Sequence, residues 1–480
     1  MTLADVPSPR AAPLTRDAAL TLAEQLAQRY AERIAHRLLA PGTRLPSVRE
    51  GARRHGVSPS TLVEAYDRLQ AQGLVEARPQ RGFFVRAAAA GPATPATVPA
   101  TPRPSTAPVD ATALIRSMFA SADDAPSPAL GTLPPDWLDP GLLQRALRRV
   151  TSGSGAGWLR YGDPYGDPSL REALVRRLGD LGITARTDQL ITTVGATHAL
   201  ELVSRSLLQP GDAVLVDEPG WAVEYARLSR AGMRLLPVPR GPEGPDLAVM
   251  KRLLETHRPR LYLTVSVLHN PTGSSLSAAA AHQVLRLAEQ HDLLLLEDDS
   301  YAWLAPPHAT RLSQLDGLSR TIYVSGFSKV LVPQWRVGFM AAPPALAERL
   351  LDSKLLSTLT TPAPMEQALA WCLTQGALRR HVDRVVTRLA AARARTTERV
   401  REAGFRFLSP PAGLFGWVDA GVDTQQLVQP MLDQGWLIAP GALFMPLPQP
   451  STALRVNFAA GQDPRFWRAL RQAVEDRQPT

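Results

Sequence analysis

Residues 321–338 read Thr-Ile-Tyr-Val-Ser-Gly-Phe-Ser-Lys-Val-Leu-Val-Pro-Gln-Trp-Arg-Val-Gly. Thr321–Val324 is a short apolar run of the kind that buried parallel strands show. It delivers Ser325, Ser328 and Lys329 at its carboxyl end, with Arg336 seven residues beyond the lysine. The chain holds only three lysines among 53 lysines and arginines. A primary amine kept where arginine serves almost everywhere else points to a reaction that a guanidinium cannot perform, Schiff-base formation with an aldehyde.

Further apolar runs of the same type, Ala213–Val216, Leu261–Val267 and Leu293–Leu296, alternate with helical stretches and predict an α/β domain with a parallel sheet. Ligands of such sheets bind outside the carboxyl ends of the strands. Asn270, in His-Asn-Pro-Thr-Gly, follows one run, and Asp298, in Glu-Asp-Asp-Ser-Tyr, follows another. A pyridine aldehyde carrying a phosphate gives each of these residues a task. Lys329 forms the imine, Asp298 keeps the ring nitrogen protonated, and Tyr301 and Asn270 donate to the ring hydroxyl. Arg336 binds the phosphate bidentately, and Gly195-Ala196-Thr197, opening a helix after Leu190–Val194, offers helix-end N–H groups to it. Ser325 and Ser328 supply hydroxyls, and Trp221, after Glu218-Pro219-Gly220, stacks on the ring face. Taken singly, each pattern has an ordinary reading: a solvated lysine, a turn, a helix cap, a core tryptophan. Their joint order and spacing argue for one crevice.

Residues 87–109 are rich in Pro and Ala with almost no charge, a composition that makes an extended linker rather than a core. Before it, residues 14–86 carry 12 arginines against 7 acidic residues, more than half of the whole chain's excess of +9. Leu22, Leu26, Tyr30, Ile34 and Leu38 keep helical spacing up to Pro41-Gly42. Ser47 and Glu50 stand at capping-box spacing for a second helix, and Ser58 with Pro59 opens a third that Gly73 stops. Leu74–Ala77 and Phe83–Val85 then form a hairpin with a basic tip. The result is a winged helix-turn-helix. Its expected DNA contacts are Ser58, Ser60 and Thr61 at the start of the recognition helix, Arg49 before it, and Arg78 and Arg81 on the wing.

Through Leu-Pro-Ser-x-Arg, Val-Ser-x-x-Thr and the Gly-containing wing, residues 45–85 resemble the GntR regulators, which implies DNA contacts at Arg49, Ser58, Ser60, Thr61 and Gly82. Through Asn-Pro-Thr-Gly, Asp-x-x-Tyr and Ser-Lys with Arg seven further on, residues 110–480 resemble the fold type I aminotransferases that use pyridoxal 5′-phosphate. Together they resemble the MocR subfamily of GntR regulators. The resemblance implies a small C-terminal α+β subdomain over roughly 345–480. It also implies a homodimer in which Tyr161 reaches the neighbouring subunit's phosphate, and a role for Arg455 as the clamp of an effector's α-carboxylate. Two departures stand out. Relatives usually have Ser or Thr where this chain has Gly326, and often have Arg where it has Pro59.

The single cysteine, Cys372, excludes an intrachain disulfide and a multi-cysteine zinc site and reads as a buried core residue, with no metal expected. No apolar run approaches the length needed to span a bilayer, so the expected location is the cytoplasm. The expected function is a regulator that binds double-stranded operator DNA and senses an amine, an amino acid or the cofactor itself through a Lys329 aldimine. The alternatives are an active aminotransferase with an accessory DNA-binding head and a DNA-binding dimer with an inert sensor domain.

Overall fold

The computed structural model describes residues 14, 20–35, 39, 41–86, 127–152, 159–447 and 449–477. The linker at 87–109 and Leu38 lie outside them. At the N-terminal end, α1 (Leu22–Ala35) packs across α2 (Val48–His55) and α3 (Pro59–Ala71). The caps read from the sequence are made: Ser47 accepts from Glu50 N, and Ser58 accepts from Thr61 N at 3.1 Å. Gly56 ends α2 in the left-handed region at φ 62°. Leu26, Tyr30, Leu62, Tyr66 and Leu69 fill the core, and the Tyr66 hydroxyl donates to Pro46 O. Gly51 lets the two helices approach closely: a Cβ there would stand 2.4 Å from Leu62 Cδ2, and the buried leucine would have to shift. The wing is the antiparallel pair β1 (Val75–Arg78) and β2 (Gly82–Val85), closed opposite Arg78 and Gly82.

The large domain is built on a sheet in the order β3-β10-β9-β8-β7-β4-β5-β6. β4 (Ala213–Glu218), β5 (Arg234–Gly241), β7 (Leu261–Thr264), β8 (Leu294–Asp298) and β9 (Thr321–Gly326) run parallel. β10 (Gly338–Ala341) lies antiparallel between β9 and β3 (Leu190–Thr193), while β6 (Gly244–Pro245) is a short edge strand. β5 and β10 are not marked by the apolar runs. β5 reads Arg-Leu-Leu-Pro-Val-Pro-Arg-Gly, with exposed residues alternating into it, and β10 has only four residues. Helices cover both faces, and their apolar sides form two separate cores against the sheet. Cys372 is fully buried, and burial pushes its thiol up to about 12.

The long helix Ala377–Glu402 leads to a second, antiparallel sheet ordered β11-β12-β14-β13. β12 (Phe415–Asp419) and β14 (Ala453–Asn457) form its centre, flanked by β11 (Arg406–Phe407) and β13 (Ala439–Pro440). The helices Val428–Asp433 and Pro464–Glu475 pack on it, with Met431 and Leu432 in the same core as Leu454 and Val456. No described helix is long and apolar enough to cross a membrane.

The N-terminal module is joined to this small sheet's domain by charge. Arg33 is fully buried, with Nη1 2.5 Å from Asp433 Oδ1 and Nη2 donating to Leu432 O at 2.8 Å. Arg54 reaches Asp433 Oδ2 at 3.2 Å, and Gln429 donates to Oδ1. His55 lies beside this cluster, hydrogen-bonded to Tyr30, and burial lowers its pKa. Removing one member of a buried pair leaves the other charge without compensation, at a cost of about 3–5 kcal/mol. Asp433→Ala should therefore loosen the module from the small domain, read as faster hydrogen–deuterium exchange in α1. Asp433→Asn, which keeps the hydrogen-bonding shape, should loosen it less.

Candidate functional site

The carboxyl ends of the parallel strands converge as the sequence predicts. Lys329 follows β9, and its Nζ donates to Gly131 O at 2.8 Å and lies 5.7 Å from the Tyr301 ring centre. Burial, reinforced by Arg455 and Arg336 and opposed by Asp298, lowers this amine to about 8. Asp298 is the last residue of β8, and one of its oxygens, Oδ1, takes the N–H and hydroxyl of Ser300. Burial raises it to about 6; the Ser300 bonds oppose the shift, and the buried Glu224 adds to it. An amine that loses its proton near 8 rather than near 10.5, beside a desolvated carboxylate, is suited to proton transfer and carbonyl addition at mildly alkaline pH.

At the edge of the crevice, the helix Gly195–Leu207 begins at Gly195-Ala196-Thr197 and points its N-terminus at Arg336. The Arg336 guanidinium reaches Val194 O at 3.3 Å and Ser328 Oγ at 3.4 Å. The cup is too tight for a side chain on its glycines. A Cβ on Gly195, where φ is +76°, would stand 2.6 Å from Arg336 Nη2, and one on Gly338 would stand 2.5 Å from Gly195 C. Free helix-end N–H groups facing a guanidinium form an anion cradle. Ser325 departs from its expected role, because its buried hydroxyl spends its proton on Asp299 O at 2.8 Å. Gly326 is roomier than the other two glycines: its Cβ would lie 3.7 Å from Ala196 N, an ordinary contact.

Arg455, on β14, enters from the small domain. Its Nη1 donates to Asn270 Oδ1 at 2.8 Å and its Nη2 to Ala129 O at 2.5 Å. The guanidinium lies 4.5 Å from the Phe415 ring centre, 4.9 Å from Phe444 and 5.6 Å from Trp221. Burial lowers its pKa to about 10. Trp221 thus stands beside the carboxylate-clamp candidate, against Phe444. Tyr161 does not join its own chain's crevice; its side chain is 83% exposed.

Sequence reading misses the strap over this crevice. Segment 127–132 is held by Asn457, which donates to Leu130 O at 2.8 Å and Thr132 O at 2.7 Å, and its carbonyls take up Lys329 and Arg455. Glu224, whose charge bears on Asp298, is also missed. Neither has a local motif, and both are brought in by contacts across the fold.

On the N-terminal module, Ser58, Ser60 and Thr61 form an exposed hydroxyl cluster at the start of α3. Arg49 and Arg81 are exposed and without an ion pair among the described residues. Arg78 pairs with Glu76 and lies 4.5 Å over Phe84. Gly82 takes φ +98°, the left-handed region that favours glycine, and the Arg44 guanidinium packs beside it. Arg44 is a further exposed cation at the wing base that no sequence pattern marked.

Comparisons with known proteins agree with both halves. Residues 134–472 match the aminotransferase class I and II family, and residues 22–85 match the bacterial regulatory proteins of the gntR family. The chain is 31% identical over 462 residues to the uncharacterized HTH-type transcriptional regulator YdcR of Escherichia coli, covering 94% of this chain and 97% of that one. It is 30% identical to the HTH-type transcriptional regulator TauR of Rhodobacter capsulatus, covering 88% and 90%. Among solved structures, it resembles LysN, the α-aminoadipate aminotransferase of Thermus thermophilus complexed with N-(5′-phosphopyridoxyl)-L-leucine. The TM-score there is 0.69 at 25% identity, over 76% of this chain and 94% of that one.

The lowered pKa of Lys329 has a stability consequence. A folded amine at about 8 binds fewer protons than the same unfolded amine near 10.5, so stability rises with pH between those values. Lys329→Met should stabilise the cofactor-free protein at pH 7 and lose that advantage as the pH rises from about 8 to above 10, as read by urea denaturation.

Proposed function

We propose, from the premise that this chain belongs to the MocR subfamily of GntR regulators, that it is a DNA-binding transcriptional regulator whose grip on its operator is set by an amine or amino acid bound beside Lys329. The observation that carries this reading is the charged joint at Asp433. Arg455, the candidate effector clamp, stands between Leu454 and Val456, and Asp433, the anchor of the DNA-reading module, follows Met431 and Leu432, and these four apolar neighbours belong to one core in the small domain. A displacement of that domain therefore carries α1 with it, and the two states of the ligand site are coupled to two placements of the recognition helix.

Pyridoxal 5′-phosphate is the cofactor whose chemistry this residue set fits: a buried amine, a buried carboxylate and a glycine-walled cradle for an anion facing a guanidinium. When bound, it supplies an electrophilic carbon conjugated to an electron-accepting ring. Asp298 would hold a proton at the ring nitrogen, and Asn270 and Tyr301 would donate to the ring hydroxyl. Arg336 and the first turn of the helix Gly195–Leu207 would neutralise the phosphate. Lys329, neutral above about 8, would be the nucleophile toward the electrophilic carbon. Arg455 binds the effector's carboxylate, which competes with Ala129 O for the guanidinium and so loosens the strap. Tyr161, exposed on its own chain, serves a partner subunit's phosphate in a homodimer. The protein acts in the cytoplasm, where its DNA is.

A second reading, a working aminotransferase, is favoured by the lowered pKa of Lys329, since a neutral lysine is the base such a reaction needs. One experiment separates the two: candidate amines are titrated while cofactor absorbance and binding to the chain's own upstream DNA are followed together. The regulator reading expects the DNA affinity to change with the absorbance; turnover of an amino donor with unchanged DNA affinity overturns it. Wild type should be yellow and Lys329→Ala should lack the aldehyde–lysine absorbance. Arg49→Ala and Arg81→Ala should each weaken binding across sequences and lower the salt slope by about 1. Gly326→Ser adds a hydroxyl beside Ala196 N and should tighten cofactor binding severalfold, as measured by equilibrium dialysis.

A further inference from the structure

A groove of about 880 Å³ runs between the helix Pro168–Asp180 and the long helix Ala377–Glu402, on the far side of the wall that carries Tyr301. Four arginines line it, Arg176, Arg177, Arg379 and Arg393, against the two acidic residues Asp180 and Asp383. None of the four makes an ion pair among the described residues. Arg177 lies 4.3 Å over the indole of Trp303, and Arg393 donates only to Gly413 O, at 3.3 Å. Partial burial lowers the pKa of both. Guanidinium groups held partly out of water without an ion pair, as those of Arg177 and Arg393 are, lower their energy by taking an anion. Between them the surface is apolar: Val382 and Leu389 form one wall and Leu268 and Trp303 the floor. The volume suits a small molecule and the lining is mainly apolar with a few placed cations, as in ligand pockets generally.

We infer that this groove is a second ligand site, separate from the Lys329 crevice, for an amphipathic anion with an aromatic or aliphatic body and a carboxylate, phosphate or sulfonate head. The apolar body lies on Trp303 and Leu268, and the head meets Arg177 and Arg379 at the rim. The floor is the back of the crevice wall. Leu268 precedes Asn270 by two residues, Trp303 follows Tyr301 by two, and Gly413 precedes Phe415 by two. Phe415 packs edge-on against Tyr301 at 5.4 Å and under Arg455. A ligand in the groove thus presses on three segments whose front faces hold the Lys329 and Arg455 site. The binding claim stands on the groove alone and does not depend on the identity of the cofactor.

The test uses the full-length protein with 8-anilinonaphthalene-1-sulfonate as an aromatic anionic probe, with one equivalent of pyridoxal 5′-phosphate per chain so that the crevice is filled and no excess aromatic phosphate competes for the groove. Wild type should bind the probe saturably at one site per chain, with weaker binding as salt rises. The double variant Arg177→Gln/Arg379→Gln should bind it tenfold or more weakly while its circular dichroism is unchanged. Ala390→Trp, which puts a bulky side chain into the groove and keeps all four arginines, should do the same. Non-saturable binding overturns the inference. So does saturable binding that both variants leave unchanged, which would put the probe elsewhere, or a groove closed by a second copy of the chain.

Discussion

A guanidinium taken wholly out of water must be held by several partners at once, and Arg455 is where this requirement organises the molecule. Its side chain starts on β14 of the small sheet, reaches Asn270 at the end of a large-sheet strand, and donates to Ala129 on the strap. Three aromatic rings close over the remaining faces. One cation thus ties together three parts of the chain. The desolvation that lowers its pKa to about 10 also makes it responsive, since a carboxylate is a better partner than a carbonyl.

The same logic recurs at the other end of the small domain. Arg33 is as deeply buried as Arg455, and its counter-charge, Asp433, sits on the helix Val428–Asp433. Between the two arginines lies a continuous apolar core containing Met431, Leu432, Leu454 and Val456. Close-packed cores transmit displacement rather than absorb it. The small domain therefore packs as one unit, with Arg455 toward the Lys329 crevice at one end and Asp433 toward the N-terminal module at the other. The adjoining HTH helix, α2, also contributes, because Arg54 shares the carboxylate of Asp433.

Much of the crevice is legible in the sequence because its parts are local. A strand end delivers one or two polar residues at fixed distance from an apolar run, so Asn270, Asp298, Tyr301, Lys329 and Arg336 could each be assigned a task from spacing. The helix caps at Ser47 and Ser58 are local for the same reason. Ser325 shows the limit of such reading: the spacing is suitable, but the hydroxyl is bonded to Asp299 O on the neighbouring strand. Arg44, next to Gly82, and the carbonyls of Ala129 and Gly131 were invisible, since an ordinary arginine and a backbone oxygen carry no pattern.

The sequence by itself determined the two folds, the chemistry of the crevice and the charge of the DNA-facing module. Periodicity, caps and motif spacing are set within a few residues of one another, where backbone geometry leaves few choices. Only the tertiary structure decided what holds the charges and what joins the halves. Arg33 meets Asp433 across 400 positions, Lys329 meets Gly131 across 198, and Arg455 meets Ala129 across 326. Such pairings follow from where packed layers bring their edges, and a buried charge takes whichever partner that packing places within reach.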